Sequence, residues 1–174
     1  MNKENKVIII AEACDNHLGN LKTAKEMAFE SKKAGADIIK FQHHLPDEEM
    51  LKDAPMSDNF DEPLYEFLLK YAFNIKQHLE LKDFCKKIDI EYLCTPFSLA
   101  AAKELRDIGV NKFKIGSGEM TDIPTLDEIS KFSKEMIVST GMSSFDEIDR
   151  TYNLLSSKNI KLSLMNCTSE YPPI

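Results

Sequence analysis

The chain has 174 residues, 43% of them hydrophobic, enough to bury a substantial core within one domain or part of a larger one. Its formal charge of −7, from 22 basic and 29 acidic residues, disfavours nucleic acid as the general partner but leaves room for a local basic pocket that takes a small anion. The four cysteines, Cys14, Cys85, Cys94 and Cys167, follow neither a metal-ligand spacing nor a secreted disulfide framework, and the apolar run Val7 to Ala11 is too short for a signal core or a membrane span, so a reduced cytoplasmic setting without a membrane partner is expected.

Val7 to Ala13 is rich in isoleucine and predicts a first strand buried on both faces. Asn20 opens a helix in which Leu21, Ala24, Met27 and Ala28 make one apolar face, and Gly35 ends it. Ala36 to Gln42 reads as the second strand. A long polar and acidic connection from His43 to about Asn74 follows, with Pro46 and Pro63 in it and a short helix at Leu64 to Tyr71. A helix from Ile75 to Lys87 leads to a third strand, Glu91 to Thr95. Ser98 caps a helix that runs to Gly109, and Lys112 to Ile115 is the fourth strand. Thr125 to Phe132 is a shorter helix and Met136 to Ser139 the fifth strand. Ser144 with Glu147 makes a capping box for a helix whose face carries Phe145, Ile148, Tyr152 and Leu155, and Lys161 to Asn166 is the sixth strand.

Strands alternating with helices imply right-handed crossovers and a parallel sheet, either doubly wound or closed into a barrel. Glu12, Lys40 with Gln42, Thr95, Lys114 with Ser117, Ser139 with Thr140, and Thr168 with Ser169 fall at the C-terminal ends of successive strands. A doubly wound sheet gathers ligand groups at its switch point, whereas a barrel gathers them from every strand at one mouth, so the expected fold class is an α/β, (β/α)8 TIM barrel. Six strands fall short of eight, so the barrel is expected to be incomplete here, with the last two strands beyond Ile174.

The stretch Asn111 to Met120, NKFKIGSGEM, places a lysine inside an apolar strand, followed by Gly116, Ser117, Gly118 and Glu119. A lysine at the mouth end of a barrel strand is held rigidly near its ligand and can neutralise a carboxylate or phosphate. Lys40 is placed in the same way. Gly116 and Gly118 are expected to let the backbone turn tightly and offer N–H groups to an anion. Together with Thr95, Ser117, Ser139 and Ser169, the two lysines make a site for a small, highly charged anion; the competing reading is a lysine that merely snorkels to water.

Six segments in order, AEACDNHLG (Ala11 to Gly19), KFQ (Lys40 to Gln42), CTPF (Cys94 to Phe97), FKIGSGEMT (Phe113 to Thr121), STGM (Ser139 to Met142) and CTSEYPP (Cys167 to Pro173), closely resemble the N-acetylneuraminate (sialic acid) synthase family over essentially the whole chain. The resemblance implies condensation of phosphoenolpyruvate with an N-acetylated amino sugar, N-acetylmannosamine or a related bacterial sugar, to a nonulosonic acid with release of phosphate. It implies that Lys40, Thr95, Lys114, Ser117, Ser139 and Ser169 hold phosphoenolpyruvate, that Gln42, Phe97, Glu119 and Tyr171 face the sugar, and that Glu12 and Glu119 serve catalysis. It also implies a homodimer and a divalent metal, manganese or magnesium, whose histidine ligands would lie beyond Ile174. Residues 1–174 would then be the N-terminal part of such a barrel, without the family's C-terminal antifreeze-like domain. The second loop of the mouth, where His43 and His44 follow KFQ, and the first, Ala13 to Gly19, depart from many relatives close to where the sugar would sit.

Two alternatives stand beside this: a truncated, non-catalytic protein that only binds phosphoenolpyruvate or a partner, and a related phosphoenolpyruvate-aldose condensing enzyme such as 3-deoxy-octulosonate phosphate synthase. His43 and His44 beside Asp47, Glu48 and Glu49 invite a metal reading, but adjacent strand residues point to opposite faces, and a solvated lid loop is the plainer expectation. His17 is expected to order the loop after the first strand, and His78 to lie on an ordinary helix surface. Cys167 has no adjacent base in the sequence and reads as a small buried residue.

Overall fold

The structure, a computed structural model, describes residues 7–55 and 62–170. Its elements run β1 (Ile10–Glu12), α1 (Leu21–Lys33), β2 (Ile38–His43), α2 (Pro46–Glu49), α3 (Leu64–Tyr71), α4 (Ile75–Lys87), β3 (Glu91–Pro96), α5 (Leu99–Asp107), β4 (Lys112–Ile115), α6 (Ile123–Ser130), β5 (Glu135–Ser139), α7 (Phe145–Ser156) and β6 (Lys161–Met165). The strands form one 6-stranded sheet in the order β1-β2-β3-β4-β5-β6, every neighbouring pair parallel. A doubly wound sheet reverses its strand order at the switch point; strictly sequential order is the barrel arrangement. The helices begin where side chains satisfy their free N–H groups: Asn20 before α1, Asn74 with Gln77 before α4, Ser98 before α5, Asp122 before α6, and Ser144 with Glu147 before α7.

Alternation along the strands divides the sheet into an outer and an inner face. On the outer face Phe41 packs with Ala24, Ala28 and Leu81 of α1 and α4, and Phe113, Met136 and Val138 pack with Leu105, Leu126 and Leu155 of α5, α6 and α7. The inner face is layered. Lys112 bridges Glu91 and Glu135, and Glu135 meets Lys161, across four consecutive strands at their N-terminal ends. Above them Ile10, Ile38, Leu93 and Ile137 form an aliphatic layer in which β5 reaches the side chains of β2 and β3 past β4, so the sheet curls around its own interior. Two residues further along each strand from that layer come Glu12, Lys40, Thr95 and Ser139, the polar rim expected of a barrel mouth.

Three expectations about elements change. The first strand is only Ile10–Glu12, and Val7, Ile8 and Ile9 are exposed, because β1 pairs with β2 on one side alone among the described residues. On α7 the buried stripe runs through Thr151 and Leu155, with Thr151 Oγ1 donating to the Met120 carbonyl at 2.8 Å. Phe145 and Tyr152 are exposed, since α7 packs on α6 and leaves its far flank free. The long connection after β2 holds two helices instead of one: α3, as expected, and the short α2, started by Pro46.

Candidate active site

β2 and β4 bring two lysines to the mouth, each only 7% exposed. Lys40 Nζ lies 2.6 Å from Glu12 Oε2 of β1 and donates to Thr95 Oγ1 of β3 at 3.2 Å. Lys114 Nζ donates to Ser139 Oγ of β5 at 2.5 Å and to the Ile115 carbonyl at 2.6 Å. Burial first, and the Lys40 charge second, bring Lys114 down from the ordinary lysine range to about 8. The two cations are thus close enough to repel.

Ser117, Ser169 and Gly141 converge beside this pair. The Gly141 N–H donates to Ser117 Oγ at 3.1 Å. A side chain at Gly141 would meet Ser169 Oγ at 2.7 Å and Ser117 Oγ at 2.8 Å, so only glycine lets both hydroxyls reach this point. Cys167 stands at the same spot, half-buried and not enclosed as the sequence suggested. Burial opposes its ionisation, yet hydrogen bonds with Ser139 and the Thr140 and Gly141 backbone, and the Lys114 charge, hold the thiol below its usual range.

Glu119 is half-buried, and its carboxyl is raised above the usual glutamate range chiefly by burial, with Lys114 pulling the other way. Its Oε2 is buried without a hydrogen-bond partner among the described residues. The carboxyl folds back over Gly116, where a Cβ would lie 2.2 Å from Oε2. The backbone turns at residues 117–121 as expected, though neither Gly116 nor Gly118 has a positive φ; Gly116 also makes space for the acid, and Gly118 opens onto a pocket of about 360 Å³ shared with Glu119, Glu48, Glu49 and Phe97.

A second pocket, of about 380 Å³, is lined by Gln42, Phe97, Asp15, His44, Phe67 and further side chains of α3 and the loop after β1. Lys40, Gln42 and His44 share the inner face of β2 and its extension. His44 stacks on Phe97 with ring centroids 4.2 Å apart. Its Nδ1 is 2.7 Å from Glu49 Oε1, and its Nε2 is 3.2 Å from Asp15 Oδ2 and 3.1 Å from Gln42 Oε1. Burial opposes the charge, but hydrogen bonds to Asp15 and Glu49 overcome it and raise His44 to about 9.

The histidines therefore do not form a solvated lid. His43, on the outer face, is fully buried; its Nε2 lies 2.8 Å from Glu104 Oε2 and its ring packs edge-on against His78 at 4.5 Å. His78 is equally buried, on Tyr92 OH at 2.8 Å, because the inner side of α4 faces the sheet. His17 does order its loop as expected, accepting from the Gly19 N–H at 3.1 Å while stacked on Phe73. Burial lowers the pKa of all three. Among the described residues no group of three or more His, Cys, Asp or Glu side chains is placed to hold a metal ion, and His44 is already committed to two carboxylates, so these residues do not fit the implied metal.

Of the residues singled out from the sequence, Lys40, Glu12 and Thr95 meet directly, as do Lys114 and Ser139, and Ser117 and Ser169 meet across Gly141. Gln42 and Phe97 share the second pocket, and Glu119 lies with Phe97 at its neighbour. Tyr171 lies outside the described residues. The sequence reading placed His44 and the loop holding Asp15 near the sugar and weighed His44 with Glu49 as a metal cluster, but it missed the pairing of His44 with Asp15, Glu49 and Gln42; the period-two spacing Lys40, Gln42, His44 was the available signal.

Fold and mouth together define a (β/α)-barrel protein whose cationic, hydroxyl and carboxyl groups ring the C-terminal ends of its strands. Within that class the chain belongs to the NeuB family, whose family model matches residues 27–174. It is 38% identical over 176 residues to an N,N'-diacetyllegionaminic acid synthase of Campylobacter jejuni, covering 96% of this chain and 53% of that protein. A pseudaminic acid synthase of Helicobacter pylori is 28% identical over 173 residues, covering 94% of this chain and 50% of that protein. The crystal structure of N-acetylneuraminic acid (sialic acid) synthetase from Leptospira borgpetersenii, in complex with citrate, superposes with a TM-score of 0.83 at 31% identity, over 98% of this chain and 57% of that one. The chain spans about half the length of the curated relatives it matches. Among the described residues no helix is long and apolar enough to cross a membrane.

Proposed function

We propose that this chain provides the anion-binding part of an enzyme that condenses phosphoenolpyruvate with an N-acetylated amino sugar to give a nonulosonic acid and phosphate. The observation that carries the reading is the pair of buried lysines, Lys40 and Lys114, backed by hydroxyls at one barrel mouth. Burying two ammonium groups is costly unless their charge is used, and a substrate bearing both a carboxylate and a phosphate supplies the matching charge. Ser117, Ser139, Ser169 and Thr95 add neutral donors that orient it.

In the reaction the electron pair of the phosphoenolpyruvate C2–C3 double bond forms a new bond from C3 to the sugar aldehyde carbon, and the aldehyde oxygen takes a proton. Water adds at C2 and gives up a proton. Phosphate then leaves with the electrons of its C2–O bond, the C2 hydroxyl passes its proton to the departing phosphate, and its oxygen becomes the keto oxygen. Glu119, whose raised pKa keeps a proton on the carboxyl further towards neutral pH, suits the donation to the aldehyde oxygen. Glu12, a carboxylate beside Lys40, suits acceptance from the attacking water. The acceptor side is the pair of pockets that Phe97 lines, with Gln42 in one and Glu119 in the other. The similarity to the Campylobacter legionaminic acid synthase supports a diacetamido sugar beside N-acetylmannosamine as acceptor. The reading includes a homodimer and a divalent metal with ligands outside the described residues.

The test is phosphate release by the full-length gene product, with mass spectrometry of the nine-carbon acid. Release that requires both phosphoenolpyruvate and an N-acetylated amino sugar, and that is lost in Lys114→Ala, is expected. Phosphoenolpyruvate binding no tighter than inorganic phosphate, or unchanged in Lys114→Ala, overturns the proposal.

A further inference from the structure

We propose that His44 is a positioning residue of the acceptor pocket: by donating from Nε2 to Gln42 Oε1 it fixes which end of the Gln42 amide faces the sugar. The inference rests on the reading of this mouth as the acceptor site. It starts from an asymmetry on the inner face of β2. His44 is enclosed by Glu49 of α2 on one ring nitrogen and by Asp15 of the loop after β1 on the other, with Phe97 across its face. Carboxylate oxygens only accept, so both nitrogens donate and the ring is an imidazolium. Glu49 is itself fixed, its other oxygen accepting from the Leu45 N–H at 3.2 Å. Of the other charged groups near the ring, Glu119 and His43 interact with it electrostatically from β4's loop and from β2.

The shared Nε2–H decides the orientation of Gln42. A free amide can present either its oxygen or its N–H₂ to a ligand. With Oε1 taken by the imidazolium, the N–H₂ is what remains for the pocket that Gln42 lines. That pocket is otherwise largely apolar, with Leu18, Leu64, Phe67 and Phe97 in its wall. A hydrogen-bond donor flanked by apolar and aromatic side chains fits an acylamino group, whose carbonyl accepts from Gln42 and whose methyl packs on the rings. A neutral His44 with a bare Nε2 would instead turn the amide round and present its oxygen, favouring an amine or hydroxyl. The charge on His44 thus sets the polarity of the subsite through the Gln42 amide.

Two measurements on the full-length protein test this. Nitrogen-15 NMR of histidine-labelled wild type at pH 7.5 should show both ring nitrogens of His44 protonated; a neutral ring overturns the proposal and requires no variant to fold. In steady-state kinetics, Gln42→Ala and His44→Gln should each raise the KM of the acylamino sugar by about tenfold while leaving that of phosphoenolpyruvate unchanged. The double variant should be no worse than either alone, because one residue acts through the other. Additive losses, or a rise in the KM of phosphoenolpyruvate, mean that His44 only supports the fold and overturn the proposal. Failure of the wild type to bind phosphoenolpyruvate sinks the condensation reading instead, and the NMR result still decides His44.

Discussion

Lys114 offers a direct measurement of what the mouth binds. Burial and the neighbouring Lys40 charge bring its pKa to about 8, so near that pH half the molecules carry a neutral amine there. A bound polyanion reverses the balance and draws the proton back, so binding takes up about half a proton at pH 8 and nearly one at pH 9. The same linkage lowers affinity by about tenfold between pH 7 and pH 9, full affinity lying below the free pKa and being lost as pH rises through it. The phosphoryl group's own second ionisation lies near pH 6, roughly two units below this window. Calorimetric titration with phosphoenolpyruvate in two buffers of different ionisation enthalpy reads the uptake directly. His44 titrates at about 9 but in the other pocket, so His44→Gln should retain the uptake, and Lys114→Met should abolish it with most of the affinity. Equal affinity at pH 7 and pH 9 with no proton taken up would refute the placement of Lys114 against the anion.

Gly116→Ala puts a Cβ 2.2 Å from the Glu119 carboxyl, whose flexible end can give way. Thermal melting should therefore shift by only about 3 °C, whereas turnover should fall about a hundredfold as the acid leaves its place. Leu105→Ala, in the core between α5 and the sheet, should lower the unfolding free energy by about 2–5 kcal/mol in urea titration without changing the mouth. His17, His43 and His78 have depressed pKa values, so the unfolded chain binds more protons than the folded one below the ordinary histidine value. Their contribution to stability is present above that value and is lost as pH falls towards the folded pKa values, so urea midpoints should drop between about pH 6.5 and pH 5. His44 is charged in the folded state throughout that range and finishes protonating in the unfolded state within it, so it offsets only a small part of the loss; a midpoint that rises on acidification would contradict the burial of the other three. Chelation with EDTA should leave phosphoenolpyruvate affinity intact, because the cradle consists of ammonium and hydroxyl groups.

The parts of the fold that the sequence revealed are those decided locally. Asn20, Ser98 and Ser144 announce helix starts because their side chains answer free backbone N–H groups two or three residues on, as Asn74 also does in the structure. The barrel was legible because Glu12, Lys40, Thr95, Lys114 and Ser139 each close a strand with a polar group. What stayed hidden depends on contacts across the chain. His43 and His78 look like surface residues until Glu104 and Tyr92 are brought to them from other elements. Gly116 looks like a turn residue until Glu119 folds over it. The pairing of His44 with Asp15 joins residues far apart in sequence, and the short α2 that supplies Glu49 has no side-chain cap to mark it.

β2 carries two interleaved sets of side chains. Lys40, Gln42 and His44 serve the mouth, while Phe41 and His43 serve the packing against α4 and α5. A single-residue deletion or insertion within this strand would exchange the two sets at one stroke, sending the aromatic ring into the mouth and the cation into the hydrocarbon layer. Point substitutions can alter either set separately, but a change of length cannot. Divergence of acceptor choice along this strand is therefore confined to replacement at fixed length, and variation in length must fall in the connection beyond His44.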